Sequence, residues 1–302
     1  MLQTLLVPLD FSPSSERALA YAVDLAERTG AALHLAYVEE TPQSVLAEGT
    51  RSPLPSYKLR DRFEDRCRES LQPYDLSADD DRITYHADRS DAVAPSLLQT
   101  AESTDADLIV MGTHGRRGVQ RAIYGSVAEE ILRTASCPVL AARHREDEAT
   151  SDPDPTVERV VVPVDFSDLS RAALRYAVRL TPLYDVPMRL VHVVETPTFP
   201  SVYETKSPKM KTREAKERAE QELRSWGESL VEEGASVSYV VHRGDPGDAV
   251  VQATGQAGTL TVMGTRGLSG ARRTMLGSVT EAVIREANGP VLAARSFPEA
   301  EA

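Results

Sequence analysis

The chain has 302 residues, with 34 Lys and Arg against 46 Asp and Glu, and a formal net charge of −12 at pH 7. This length allows two domains that each bury a core of their own. The acidic balance argues against a nucleic-acid partner, because phosphate backbones require a net basic face. No signal segment or long apolar run stands out, so we expect a cytoplasmic protein with no membrane partner.

Short apolar runs alternate with amphipathic ones along the first half of the chain. The former are typical of strands covered on both faces, and the latter of helices. In chain order the sequence predicts strand 4–9, helix 13–29, strand 32–38, helix 58–74, strand 82–86, helix 91–102, strand 108–111, helix 126–135 and strand 138–142. Such alternation predicts a doubly wound α/β domain, a five-stranded parallel sheet with helices on both faces.

The second half of the chain repeats the first. Asp10-Phe11-Ser12 recurs as Asp165-Phe166-Ser167, and both halves end on Pro-Val-Leu-Ala-Ala-Arg. We therefore predict two tandem domains, 1–145 and 157–297, joined by a linker at 146–156 where acids, Pro and small polar residues interrupt the apolar pattern. The matching apolar end strands predict that the halves pair as an intramolecular pseudo-dimer, since an exposed apolar edge invites aggregation. Further pairing into a homodimer stays open.

Cysteine and histidine spacing indicates neither a metal site nor a disulfide framework. Cys67 and Cys137 form no C-x-x-C motif, and the six histidines show no spacing typical of metal ligands. Cys67 lies in an apolar stripe with helical spacing, and Cys137 precedes a predicted strand, so we expect both to be core thiols. No bound metal is expected.

A glycine signature occurs once in each half, after the fourth predicted strand. Gly112-Thr-His-Gly115 is followed, after nine intervening residues, by Gly125-Ser126, and Gly264-Thr-Arg-Gly267 in the same way by Gly277-Ser278. Both loops lack acids and carry three arginines each, namely Arg116, Arg117 and Arg121 and then Arg266, Arg272 and Arg273. A glycine-rich loop before a helix presents backbone N–H groups and the helix dipole to an anion. The repeat therefore predicts two polyphosphate sites.

Structural explanations stand beside this interpretation. Ser126-Val-Ala-Glu129 and Ser278-Val-Thr-Glu281 fit a capping box, in which each Ser caps its helix, and glycine turns also occur for packing alone. The loops match neither G-x-x-x-x-G-K-[ST] nor G-x-G-x-x-G, which disfavours a P-loop NTPase and a dinucleotide-binding dehydrogenase.

Asp10 and Asp165 directly follow the first predicted strand of each half. One interpretation makes these acids, or Ser12 and Ser167, caps of the next helix, with Pro13 at its first position. Alternatively, ligands of parallel sheets bind at the carboxyl ends of strands. A carboxylate there would repel phosphate, so it would address the base or ribose of a nucleotide.

The chain resembles a tandem universal stress protein of the ATP-binding branch. The resemblance rests on the paired glycine motifs, on Pro-Leu-Asp-Phe-Ser and Pro-Val-Asp-Phe-Ser near the start of the two halves, and on the common final strand. The resemblance implies an adenine nucleotide alpha hydrolase-like fold that binds ATP, with AMP or ADP as alternatives and Mg²⁺ entering only with the nucleotide. It implies nucleoside contacts from Asp10 and Asp165 and adenine contacts from the backbone of Val38 and Val193. The implied phosphate contacts are Gly112, His114, Gly115, Gly125, Ser126 and Val127 in the first half and Gly264, Arg266, Gly267, Gly277, Ser278 and Val279 in the second.

The function expected from these features is a stress-response switch that binds ATP in both domains and is not an enzyme. Neither loop carries a base or metal-binding carboxylate at the phosphate end. Two alternatives stay open, a slow ATPase or phosphotransferase and a scaffold that binds no nucleotide. No protein partner follows from the sequence.

Overall fold

The computed structural model describes residues 2–41, 56–74, 76, 80–113, 125–143, 155–195, 208–231, 236–265 and 276–296. The chain divides into two compact units, residues 1–155 and 156–302. Part of the predicted linker lies outside the described residues, and its boundaries stay a prediction.

The first unit alternates strands and helices throughout its described part. Its elements are β1 (Thr4–Pro8), α1 (Pro13–Thr29), β2 (Ala32–Glu40), α2 (Ser56–Leu71), β3 (Ile83–Ser90), α3 (Val93–Ser103), β4 (Leu108–Gly112), α4 (Ser126–Thr134) and β5 (Val139–Ala142). The strand order is β3-β2-β1-β4-β5, and all neighbouring pairs are parallel. The chain thus runs outward from β1 in one direction, returns, and continues from β4 in the other.

This order confirms the predicted doubly wound fold. Because crossovers between parallel strands are right-handed, reversing the direction of travel moves the connecting helices to the opposite face of the sheet. Leu5, Leu6 and Val7 of β1 are fully buried, as expected for a central strand covered on both faces. The reversal falls between β1 and β4, where ligand sites of such sheets lie.

The second unit repeats this architecture. Its elements are β6 (Arg159–Pro163), α5 (Asp168–Tyr184), β7 (Met188–Val194), α6 (Pro208–Val231), β8 (Val237–Arg243), α7 (Pro246–Thr254), β9 (Thr259–Gly264), α8 (Ser278–Glu286) and β10 (Val291–Ala294). The order is β10-β9-β6-β7-β8, again with parallel pairs. Reversal of the strand order here falls between β6 and β9.

Helix α1 shows how local sequence sets the element bounds. Ser12 is its N-cap and accepts a hydrogen bond from the Ser15 amide, and Pro13 occupies the first helical position, where no N–H is needed. Gly30 ends the helix in a left-handed conformation at φ 73°, which glycine adopts without steric cost. The sequence-predicted bounds of this helix are confirmed.

Strand β3 is longer than its apolar residues indicate. The prediction ended it at residue 86, but the strand continues to Ser90 and pairs with β2 as far as Glu40. A cross-strand ion pair, Arg89 Nε to Glu39 Oε2 at 2.5 Å, joins the two polar ends. The extension was missed because β3 is an edge strand of its unit, and its polar end carries no apolar signal.

The predicted core position is confirmed for Cys67 and only in part for Cys137. Cys67 is fully buried in α2 and Cys137 is half-buried before β5. Burial raises the pKa of both thiols, that of Cys137 to about 11, so both stay protonated and weakly nucleophilic at neutral pH. Within the described ranges, no helix is both long and apolar enough to cross a bilayer.

Candidate functional site

The carboxyl ends of β1 and β4 form the candidate site in the first unit, and those of β6 and β9 form it in the second. Leu5 and Leu6 pair with Leu108 and Ile109, so Asp10 and the end of β4 emerge at the same edge of the sheet. Val38 lies there too. Continuing the Pro8–Ala36 register by two residues places Val38 beside Asp10.

Asp10 folds back onto the start of α1. Ser12 donates to Asp10 Oδ1 twice, from its amide nitrogen at 3.0 Å and from its hydroxyl at 2.6 Å. Asp165 and Ser167 repeat both bonds at 3.0 and 2.6 Å. Ser12 and Ser167 are the N-caps of α1 and α5, which confirms the interpretation that these serines cap the helix that follows. The nucleoside role of the two acids stays a prediction.

The phenylalanine between each Asp and Ser has a left-handed backbone. Phe11 has φ 58° and Phe166 has φ 64°, a conformation that costs a residue with a Cβ on the order of 1 kcal/mol. Their rings are held in aromatic clusters. Phe11 packs 5.9 Å from the ring of Phe63, and Phe166 packs 4.5 Å from His192 and 5.4 Å from Trp226.

A guanidinium covers each aromatic cluster, but it comes from a different helix in each unit. Arg66 of α2 lies 4.6 Å from the ring centre of Phe11, whereas Arg171 of α5 lies 4.1 Å from that of Trp226. These clusters were not predicted from the sequence. Their signal was the aromatic residue between Asp and Ser in both halves, although a single aromatic is most often a core residue.

Gly112 has a packing role that needs no ligand. An ideal Cβ at this position would lie 2.6 Å from the carbonyl carbon of Ser14 and 2.7 Å from the Ser15 amide nitrogen. The end of β4 therefore touches the backbone of the first turn of α1, and only glycine fits there. This contact supports the packing explanation at Gly112, while its predicted phosphate contact stays a prediction.

Both ends of each glycine loop meet at a pair of backbone hydrogen bonds. Gly125 donates to the Thr113 carbonyl at 2.8 Å, and Thr113 donates to the carbonyl of Ala142 at 3.0 Å. In the second unit Gly277 donates to Thr265 and Thr265 to Ala294, both at 2.8 Å. The described end of each loop thus holds the start of the next helix against the end of the strand.

The capping-box prediction is wrong in both halves. Gly125 and Gly277 are the N-caps, no side chain caps either helix, and Ser126 and Ser278 are exposed first helical residues. The physical reason is the bond from the amide of each glycine to the carbonyl of the threonine at the other end of the loop, which places the glycine, one residue before the serine, at the N-cap. Glu129 does not reach back to the helix start and instead accepts from Arg133 Nη1 at 3.3 Å.

An uncapped helix start suits an anion. The first amide groups of a helix have no intrahelical acceptor. In α4 the first intrahelical bond is donated by the backbone amide of Glu129 to the Gly125 carbonyl, at 3.0 Å. The amides of Ser126 and Val127, and likewise those of Ser278 and Val279, belong to this first turn. Phosphate oxygens are suitable acceptors for such groups.

Several predicted site residues lie outside the described residues. They are His114, Gly115, Arg266 and Gly267, together with the loop arginines Arg116, Arg117, Arg121, Arg272 and Arg273. Val193 is described at the end of β7, where it pairs with His242. Gly264 ends β9, and its carbonyl accepts a hydrogen bond from the Thr280 hydroxyl at 2.9 Å. The equivalent residue of the first unit, Ala128, has no hydroxyl to donate.

A histidine pair lies in the first unit, away from the predicted site residues. Nδ1 of His34 in β2 is 2.9 Å from Nε2 of His86 in β3. Burial lowers the pKa of both rings, and that of His86 is lowered further by the charges of His34 and Arg60. The described part of the chain contains no group of three or more His, Cys, Asp or Glu side chains placed to hold a metal ion.

Comparison with known proteins agrees with this architecture. Residues 1–143 and 156–295 each match the family model described as the universal stress protein family. A universal stress protein of Mycobacterium tuberculosis is 29% identical over 301 residues, which cover 96% of each chain. Another, from Methanocaldococcus jannaschii, is 31% identical over 148 residues, 48% of this chain and 84% of that protein.

Solved structures share the fold. A universal stress protein from Archaeoglobus fulgidus superposes with a TM-score of 0.64 at 19% identity, covering 97% of this chain and 96% of that one. At this identity the likeness concerns the fold alone. Because both halves match the family model over nearly their whole length, this chain belongs to the universal stress protein family, with two such domains in tandem.

Proposed function

We propose that this chain is a cytoplasmic stress-response protein that binds ATP in each of its two domains and acts as a nucleotide-dependent switch. The observation that carries the proposal is the duplicated geometry. Each unit places a carboxylate at the end of its first strand and an uncapped, glycine-started helix at the end of its fourth.

The two ends of a nucleotide need opposite partners, and the site offers both. The carboxylates of Asp10 and Asp165 accept hydrogen bonds from ribose hydroxyls or the adenine amine. Backbone amides at the starts of α4 and α8 donate to the phosphates, and the loop arginines neutralise their charge. Mg²⁺ enters bound to the nucleotide phosphates.

Calorimetric titration with ATP, ADP and AMP tests this proposal. We expect up to two sites in the wild type and the loss of one in Gly115→Val and in Gly267→Val, because each side chain would fill space that a phosphate needs. Gly255→Ala is the control, since Gly255 ends α7 with an ordinary φ of −73°. No ATP uptake at millimolar concentration, or unchanged binding by the double variant, would contradict the site assignment.

We further propose that bound ATP is turned over slowly or not at all. Phosphoryl transfer needs an in-line nucleophile and a metal held by protein groups. Arginines that bind ground state and transition state equally raise affinity without accelerating the reaction. Near the start of α4, the Glu129 carboxylate is paired with Arg133.

Phosphate release by the purified protein distinguishes this switch from an enzyme. We expect a rate well below the ~1–1,000 per second typical of enzymes. A rate in that range that is lost in Ser126→Ala or Ser278→Ala would favour the ATPase or phosphotransferase. The scaffold alternative is tested by asking whether nucleotide co-purifies with the protein.

The proposal also includes the partner predictions from the sequence. The prediction that the two halves pair as an intramolecular pseudo-dimer rests on their equivalent end strands, β5 and β10. These strands share the sequence Val-Leu-Ala-Ala, and each is an edge strand of its own unit.

A further inference from the structure

We propose that Ser12 and Ser167 are positioning residues that hold the Asp10 and Asp165 carboxylates in the orientation that receives the nucleoside. This inference rests on the proposed function and adds a residue pair to it. It assigns the serine hydroxyls a role beyond capping the following helix.

The geometry of the two carboxylate–serine pairs is the same in both units. In each, one carboxylate oxygen, Oδ1, receives the serine amide at 3.0 Å and the serine hydroxyl at 2.6 Å. The surroundings differ, because Glu16 follows Ser12 by four residues where Arg171 follows Ser167. Because the same two bonds form in different surroundings, we infer that their role is to hold the carboxylate.

Each hydroxyl both accepts and donates a hydrogen bond, and these two roles are separable. As an acceptor, Ser12 Oγ caps α1 by receiving the Ser15 amide at 3.3 Å, and Ser167 Oγ receives the Ser170 amide at 3.2 Å. As a donor, the same hydroxyl hydrogen-bonds to the aspartate Oδ1 at the much shorter distance of 2.6 Å. Short bonds to an ionised acceptor are the stronger class. A helix cap needs only the acceptor, so the donated bond has a function of its own.

The backbone between the two residues supports this arrangement. The left-handed backbone of Phe11 and Phe166 turns the chain, and each Ser contacts the Asp two residues before it. Aromatic packing against Phe63 in the first unit and Trp226 in the second holds that turn. Ser12 is almost fully buried, where a hydrogen bond is stronger than in water.

A carboxylate fixed in this way loses less conformational entropy when a ligand binds to it. A nucleoside hydroxyl or amine meets an acceptor whose rotamer is already set, and preorganisation of this kind increases affinity. Removing the serine hydroxyl should therefore weaken binding of the nucleoside end and leave binding of the phosphate end unchanged.

Substitution with glycine or threonine separates the two roles of the hydroxyl. Glycine replaces serine at an N-cap with little loss of helix stability but cannot donate to Asp, whereas threonine retains the hydroxyl. The test titrates the full chain with adenosine, ATP and inorganic tripolyphosphate. The variants are Ser12→Gly with Ser167→Gly, Ser12→Thr with Ser167→Thr, and Asp245→Ala, which removes the N-cap side chain of α7 and controls for the loss of a helix cap away from the two Asp–Ser pairs.

We expect the glycine variant to bind adenosine and ATP about tenfold more weakly, because the carboxylate rotamer must then be fixed at the moment of binding, and to bind tripolyphosphate as the wild type does. The threonine variant should recover most of the affinity, and Asp245→Ala should retain all of it. In a background of Asp10→Asn with Asp165→Asn, the glycine substitutions should have no further effect, because the serines act through the carboxylates.

Three outcomes overturn the positioning role. These are unchanged adenosine and ATP affinity in the glycine variant, an equal loss for tripolyphosphate that threonine does not restore, and full additivity with the Asp→Asn substitutions. A wild type that binds neither adenosine nor ATP instead contradicts the proposed function, and the positioning role fails with it. The wild-type titration therefore distinguishes the two failures.

Discussion

Glu16 lies in the first turn of α1, and the hydroxyl of Ser70 in α2 donates to its Oε1 at 2.8 Å. Burial raises the pKa of this carboxyl, while the hydrogen bond from Ser70 and the charge of Arg66 act in the opposite direction, and Asp10 raises it slightly. The second unit has Arg171 at the equivalent position. The charge at this position therefore differs in sign between the two units, and we expect the two candidate sites to differ in affinity.

A folded-state pKa above the unfolded value means that the carboxyl contributes stability below its unfolded pKa and loses it as pH rises through the folded pKa. We therefore expect Glu16→Gln, which retains an acceptor for Ser70, to increase the free energy of unfolding more at pH 7 than at pH 4. Urea unfolding of both proteins at the two pH values measures this. Ser70→Ala removes a bond that favours the ionised form and should steepen the pH dependence; equal effects of Glu16→Gln at both pH values would contradict the assignment.

At three described positions a glycine allows two neighbouring elements of this fold to pack closely. Gly112 at the end of β4 touches the backbone of α1 at Ser14, and Gly227 inside α6 faces the ring of Tyr239 in β8. An ideal Cβ on Gly289 would likewise overlap the carbonyl of Thr259 at the start of β9. Gly227 lies in a helix interior, where glycine is otherwise unfavourable by about 1 kcal/mol, so its presence is explained by this packing.

Gly112→Ala tests the packing role of a glycine that the sequence assigned to phosphate. The added Cβ would meet backbone atoms, which cannot rotate away as a side chain can, so we expect a loss of roughly 1–3 kcal/mol in the free energy of unfolding, measured without nucleotide. Gly255→Ala is the matched control, since its Cβ would come no closer than 3.3 Å to a neighbouring atom. A nucleotide-free stability equal to that of the wild type would show that Gly112 is not required for packing.

On the scale of the whole molecule, the two units share fold, strand order and site geometry but differ in detail. Trp226 and His192 surround Phe166, whereas Phe63 and Tyr37 surround Phe11. In the proposed function, such a duplication allows the two candidate sites to diverge in sequence, so that each would respond to a different nucleotide concentration.

Pairing of the halves predicts one compact particle in solution. A folded chain of this length has a radius of gyration of about 19 Å, and small-angle scattering should give a value close to it with a single maximum in the distance distribution. Two lobes on a flexible tether would give a larger radius and a second maximum, and would contradict the predicted pseudo-dimer. The measurement should be repeated across a concentration series to detect homodimers.

The order of elements and the duplicated fold followed from the sequence, because the signals involved are local. Helix α1 was predicted to its last residue, since Ser12, Pro13 and Gly30 each act within a few positions along the chain. Apolar runs identified the central strands for the same reason, as burial on both faces leaves no polar position. At β3 the local signal ended four residues early, because the polar end of the strand depends on pairing with β2.

Details of the candidate site depended on contacts between residues far apart in the chain. The capping box placed Ser126 at the N-cap of α4, but the bond from the Gly125 amide to the Thr113 carbonyl places Gly125 there. The sequence assigned Gly112 to a ligand, and the approach of Ser14 revealed a packing requirement. The left-handed backbone of Phe11 and the Ser12–Asp10 bond were likewise visible only after folding. Periodicity and capping motifs report short-range preferences, whereas close approaches, cap registers and strained turns are set by how packed elements meet.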